Sequence, residues 1–295
     1  MKPYLDNSNL VSGFLFMAVS ATAFGSAPTF AKLAFDNSIT PSSLQSYRFF
    51  ITFVVIIFVT IIVKQITKPT PAHMPRLFIL AISTGFSSLC YMTSVKYVPV
   101  AVASLTFFTF PLVVAPVSHL MKIDKLTQIK VLAMILAFCG LCLLLGTTYN
   151  LQWVGISMAF AAGLFVATSF IVSKPLTEDL SPLTMAVFAT GLPCLAYAIS
   201  SILSGDLTHP QNFPGGVGLV ANSLCHAIGL TCCYAAIARL GPTRTAVMMN
   251  VEPLISVLAA YLILGQAITI VQSLGIIGVI SVSYTHLRAH ETTVY

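Results

Sequence analysis

Ten apolar runs, each close to the length needed to cross a bilayer, fill this 295-residue chain almost end to end. They lie at about 10–34, 42–63, 76–95, 99–120, 127–146, 152–173, 182–203, 216–238, 243–264 and 268–283. Crossing the hydrocarbon core takes about 20 apolar residues per helix, and the connections are too short to hold a soluble domain. Inside lipid every backbone donor and acceptor needs an internal partner, which leaves helices or a closed barrel. Runs this long, without strict alternation, select helices. Only 7% of residues are charged and 57% are hydrophobic, whereas about a quarter of an ordinary soluble domain is charged. The expected fold is an all-α membrane protein with ten transmembrane helices.

The net charge of +6 reports topology rather than a polyanionic partner. If the N-terminus is cytoplasmic, Lys2, Lys64, Lys68, Arg76, Lys122, Lys125, Lys130, Lys174, Arg239 and Arg244 lie on or near inside connections. Only Lys32 and Lys96 fall at outside ones, and Arg48 sits within the second run. That asymmetry favours both termini in the cytoplasm. The implied partner is the lipid bilayer, not nucleic acid. The first run, near 25 residues, is longer than the 7–15-residue core of a cleaved signal peptide.

A weak internal repeat divides the chain. Gly13 and Lys32 recur as Gly155 and Lys174, Pro111-Leu112 as Pro253-Leu254, and Leu126-Thr127 as Ile268-Thr269, each at an offset of 142. One residue out of step, Tyr91 and Lys96 are matched by Tyr234 and Arg239. Each half, 10–146 and 152–283, holds five runs, so the second must enter the bilayer from the opposite side. Two inverted five-helix repeats are the architecture of a secondary transporter with its site near the membrane midplane.

The remaining signals are weaker. All seven cysteines fall inside apolar runs, and the Cys139–Cys142 spacing lacks the strand context of a redox motif. Small packing residues are the expectation. The tenth run is apolar only to about Ser283, and residues 284–295 resemble a translated adapter sequence, so they are set aside as a non-native tail. His286 and His290 within it lack the further ligand that a metal site needs. No metal, cofactor or catalytic constellation is expected: no P-loop, H-E-x-x-H or G-x-S-x-G pattern occurs.

Several segments carry a family resemblance. They are Phe24 to Lys32 in the first run, Arg48-Phe49 in the second, and Ala236 to Ala246 (through Leu240-Gly241-Pro242-Thr243-Arg244) at the eighth-to-ninth junction. Glu252-Pro253-Leu254, Leu264-Gly265, Ile268-Thr269, Gln272 and Gly275 follow. Over residues 10–283 the chain resembles the EamA family of the drug/metabolite transporter superfamily. The resemblance implies two EamA repeats and a bacterial inner-membrane carrier of metabolites. One departure stands out: Gln266 replaces the Glu that often follows the ninth helix's Leu-Gly, while Asp124 holds the matching first-half position. A role that relatives assign to that acid does not carry over.

Polar groups inside a bilayer are costly, so each is a functional hypothesis by default. Glu252, beside a helix-breaking proline, is the clearest: it suits a cationic group or a coupling proton, against pairing with Arg48 or Arg244. Arg48 is read as snorkelling to the outer headgroups or binding an anion. Ser83, Ser87 and Tyr91 share one face of the third run. The shifted repeat matches them to His226, Leu230 and Tyr234, with Asn222 extending that stripe. The serines read as helix–helix hydrogen bonds. Tyr91, His226, Tyr234 and Asn222 read as cavity-lining, His226 being the proton-linked candidate. Pro28, Pro111 and Pro253 read as kinks or hinges.

The expected function is secondary transport of small metabolites, such as amino acids or related organic solutes, by alternating access, with export favoured and coupling to protons possible. The alternative is a channel or sensor without carrier activity. A homodimer is compatible with the sequence and not required by it.

Overall fold

The computed structural model describes residues 7–94, 97–98, 100–124, 126–128, 131–132, 135, 138–139 and 152–265. Ten α-helices occur among them: α1 (Asn7–Phe35), α2 (Pro41–Ile62), α3 (Met74–Ser94), α4 (Val100–Phe107), α5 (Phe110–Leu120), α6 (Trp153–Leu176), α7 (Pro182–Ser204), α8 (Phe213–Leu240), α9 (Pro242–Met248) and α10 (Glu252–Leu264). No strand occurs among the described residues. Among the described residues, eight helical segments are long and apolar enough to cross a membrane, the fourth made of α4 with α5 and the eighth of α9 with α10. The runs expected at 127–146 and 268–283, Cys142, Gln266 and the tail at 284–295 lie wholly or largely outside the described residues.

Local chemistry sets the helix ends. Thr40 caps α2 by accepting the Ser43 amide, with Pro41 in the first turn. Ser181 caps α7 through the Thr184 amide, with Pro182 in the first turn. Both follow the rule that a hydroxyl satisfies an orphan amide while proline occupies a position that needs no donor. Between α8 and α9 the chain turns at Gly241 with φ of +84°, a conformation costly for any residue with a Cβ.

The helices gather into two compact units, each drawing on both sequence halves. The first holds α1, α2, α3 to Gly85, the end of α6 from Val172, α7 and α8. Here α1 and α8 run antiparallel. A Cβ on Gly13 would lie 2.8 Å from Leu240 at one end of the seam, and one on Gly215 would lie 3.0 Å from Asn37 at the other. Ser20 donates to the Gly229 carbonyl, at 2.8 Å, between them. Helix α2 packs on α7 and α8 and turns Phe50, Val54, Phe58 and Ile61 outward, as a lipid-facing surface should.

The second unit holds α3 from Phe86, α4, α5, α6 to Ile171, α9 and α10. Its core is aromatic: Phe107, Phe108, Phe110 and Phe170 meet with ring centroids 5.3–6.1 Å apart. Ser87 donates to the Ala162 carbonyl at 3.0 Å, a helix-to-helix bond of the kind read from the sequence. Both proline-broken spans belong to this unit. The chain leaves the helix at Phe108–Thr109 before Pro111 opens α5, and passes through a 3₁₀ turn at Met249–Val251 before Pro253 opens α10. Proline lacks the amide that would continue the ladder, and Pro111 and Pro253 lie 142 residues apart. At Pro28, by contrast, α1 continues without a break.

Candidate functional site

In the first unit the second and eighth sequence runs supply a polar cluster at mid-helix. Arg48 and Thr52 are one turn apart on α2, and Asn222 and His226 are one turn apart on α8, so each pair shares a face. The two helices run in the same direction: Leu44 shares a core cluster with Leu219, and further along Thr52 donates to the Ser223 carbonyl at 3.0 Å. With a rise of 1.5 Å per residue, Arg48 lies about 12 Å beyond the Thr40 cap. That is close to half the hydrocarbon thickness of about 30 Å.

Arg48 does not reach outward along the helix. Its guanidinium carbon lies 5.4 Å from the Phe49 ring centroid, its Nε is buried, and it interacts electrostatically with Tyr197 and His226. The snorkelling reading of Arg48 is therefore replaced by an inward orientation. Phe49, fully buried, is stacked on Tyr197 at 5.1 Å and meets His226 edge-on at 5.2 Å. Phe24 also meets the His226 ring edge-on, at 5.9 Å.

Hydrogen bonding fixes the polar atoms. The single Thr52 hydroxyl proton goes to the Ser223 carbonyl, so its oxygen accepts from His226 Nδ1 at 3.3 Å. In the neutral ring this leaves Nε2 as an acceptor. Asn222 Nδ2 donates to the Ala27 carbonyl at 2.8 Å. Its Oδ1 is buried with no hydrogen-bond partner among the described residues. Tyr234 lies about two turns beyond His226 on α8. It is buried, and its hydroxyl interacts with the Thr84 side chain without closing a hydrogen bond by distance and angle.

In the second unit, the Tyr91 hydroxyl shares a 2.7 Å hydrogen bond with Ser104 Oγ, and the ring meets Phe107 edge-on at 5.3 Å. Glu252 opens α10 directly after the 3₁₀ turn. It interacts electrostatically with Tyr91 and is partly buried, and its carboxylate forms no hydrogen bond or ion pair with a described residue. Within this unit, no ion pair between Glu252 and Arg244 occurs among the described residues. Buried Asn250 stands two residues earlier, its Oδ1 without a hydrogen-bond partner among the described residues.

The structure thus places Arg48 within electrostatic range of His226, with Asn222 one turn before His226 and Tyr234 about two turns beyond it on α8; Tyr91 is hydrogen-bonded to Ser104 and within electrostatic range of Glu252. Sequence reasoning missed Thr52, Tyr197 and Ser104. Thr52 was findable, since it lies four residues past Arg48 on the same face. Tyr197 and Ser104 carried no comparable signal. Among the described residues no group of three His, Cys, Asp or Glu side chains is placed to hold a metal ion.

Membrane-length helices, two of them interrupted, with polar groups held at mid-span, define a multi-pass membrane protein of transporter type. The family profile of EamA-like transporters matches residues 11–146 and 153–285, and the chain belongs to this family, within the drug/metabolite transporter superfamily. It is similar to Protein RarD of Escherichia coli (strain K12), 22% identical over 268 residues and 89% of each chain. An uncharacterized transporter, YyaM, of Bacillus subtilis (strain 168) is 22% identical over 261 residues, covering 83% of this chain and 85% of that one. An uncharacterized transporter of Archaeoglobus fulgidus is 26% identical over 196 residues, covering 66% of this chain and 70% of that one. A solved crystal structure shares the fold with a TM-score of 0.77, at 18% identity over 97% of this chain and 99% of that one.

Proposed function

We propose that this transporter is a ten-span secondary carrier of the bacterial inner membrane, with both termini cytoplasmic and two inverted five-helix repeats at 10–146 and 152–283. It exports small metabolites, such as amino acids or related organic solutes, by alternating access. The observation that carries this reading is the pair of broken spans: α4–α5 and α9–α10 are interrupted at Pro111 and Pro253, 142 residues apart. Discontinuous membrane helices leave backbone groups and helix ends available to solutes and ions, and they recur at the sites of secondary transporters.

Within this reading, Arg48, Asn222, His226 and Tyr234 are the solute-binding candidates of the first unit, and Tyr91 and Glu252 those of the second. Pro111 and Pro253 are the hinges. Glu252, a carboxyl in a spanning segment with no partner among the described residues, is the coupling-proton site. Solute counterflow by the purified chain in proteoliposomes is the test. A carrier saturates and exchanges labelled against unlabelled solute, while a channel conducts without saturation and a sensor moves nothing. Flat counterflow across a broad metabolite panel rejects the carrier reading. Unchanged pH dependence in Glu252→Gln removes Glu252 as the proton site.

A further inference from the structure

We infer that the Arg48 guanidinium is the docking point for a carboxylate or phosphate group of the solute, with Asn222 Oδ1 and His226 Nε2 receiving a hydrogen-bond donor next to that group. The inference rests on the carrier reading above and narrows its substrate class to organic anions and zwitterions bearing a neighbouring hydroxyl or amine.

Three observations carry it. The first is position. Arg48 lies at mid-membrane depth and points inward, against the aromatic bed of Phe49 and Tyr197, yet keeps partial exposure. Aromatic walls lower the local dielectric, so a guanidinium there attracts an anion far more strongly than one in water. The second is charge. Helices α1, α2, α7 and α8 contain no Asp or Glu, so within these spans the unit brings only positive formal charge.

The third is the pair of acceptors. Asn222 Oδ1 is buried and has no hydrogen-bond partner among the described residues, while its amide nitrogen is committed to Ala27. His226 Nε2 forms no hydrogen bond with a described residue, while Nδ1 is committed to Thr52. A buried acceptor without a donor is costly, and the two stand one turn apart on the α8 face that meets α2 and α1. One cationic donor with two adjacent acceptors is complementary to an α-hydroxy or α-amino acid, or to a phosphate monoester with a vicinal hydroxyl. A lone amine or a simple hydrocarbon cation matches neither the charge nor the acceptor pair.

The test uses the detergent-purified full chain. The probes are the proteinogenic amino acids, lactate, malate and 3-phosphoglycerate, each against its carboxamide or ester, with propionate as the partner of lactate that lacks the donor. Melting temperature reports binding, and titration calorimetry gives Kd for the best probe. Anionic probes should raise the melting temperature and their neutralised counterparts should not. Arg48→Gln should weaken Kd on the order of tenfold to a hundredfold, the range for a charge-assisted hydrogen bond. Arg48→Lys, the safeguard should the Gln variant misfold, should keep the preference for anions at reduced affinity, because it retains charge without the fork. Asn222→Leu should erase the preference for lactate over propionate. Binding of amines or amides in place of anions, or an unchanged Kd in Arg48→Gln, overturns the inference. Counterflow of a cationic or neutral solute without anion binding rejects this subsite and leaves the carrier standing. Failure of both binding and counterflow across the panel rejects both.

Discussion

Gly218 sits where α8 touches the backbone of α1, and its replacement tests the packing of the first unit most directly. A Cβ there would lie 2.7 Å from the Ala34 nitrogen, 2.8 Å from the Phe30 carbonyl oxygen and 3.2 Å from the Ala34 Cα. All three are backbone atoms, so no side chain can rotate away. Restoring ordinary contact requires the two helices to part by about 0.7 Å, and a gap of that size forfeits about a quarter to a half of each van der Waals contact along the seam. Overpacking of this kind costs about 1–3 kcal/mol, offset by about 1 kcal/mol of improved helix propensity. The expected net loss for Gly218→Ala is about 0–2 kcal/mol. Gly216, two residues earlier on the same helix, has nothing within 4 Å of its Cβ position. Gly216→Ala should therefore be neutral or stabilising by up to about 1 kcal/mol. Thermal unfolding of both variants in one detergent separates them, at about 2–4 °C per kcal/mol for a chain of this size. Equal melting temperatures for the two variants would refute the close α1–α8 seam.

Further expectations follow from individual contacts. Gly163→Val should destabilise the second unit by about 1–3 kcal/mol, because a Cβ there already lies 3.0 Å from the Phe107 carbonyl; differential scanning of the purified variant checks it. Thr52→Val removes the bonds to Ser223 and His226 and should cost about 0.6 kcal/mol, at most about 1.7, read as a small fall in melting temperature. His73 and Asp179 pair at 3.1 Å with the carboxylate largely exposed, so Asp179→Asn should change stability by no more than about 1 kcal/mol. Gly241→Ala should lower melting by roughly 1 kcal/mol or more, since φ of +84° strains any side-chain-bearing residue.

Much of this architecture is legible in the sequence, because hydropathy and proline act locally. Apolar runs marked the described spans, and Pro111 and Pro253 stood where two of them break. Partner choice is another matter. Lipid and protein are equally apolar surroundings, so the hydrophobic pattern does not say which helix faces which. Nothing in Ala27 or Gly218 announces that α1 lies against α8 rather than a helix of its own half. The same limit hid the cluster. Arg48 reads as an interfacial anchor until Phe49, Tyr197 and His226 are seen around it, and the serine of the Tyr91–Ser104 pair comes from a separate span. Asn222 and His226 were picked out by polarity alone, while the direction of their hydrogen bonds needed coordinates.

The α1–α8 seam also has a temporal consequence. Some 200 residues of chain separate the two helices, and at roughly 5–20 residues per second synthesis takes about 10–40 s to cross that interval. Until then α1, the Ala34 backbone that seats Gly218 and the Ser20 hydroxyl included, must wait in the bilayer beside the insertion machinery without its lifelong neighbour. Nascent chains arrested before Leu240 should therefore be the ones most readily seized by quality-control proteases.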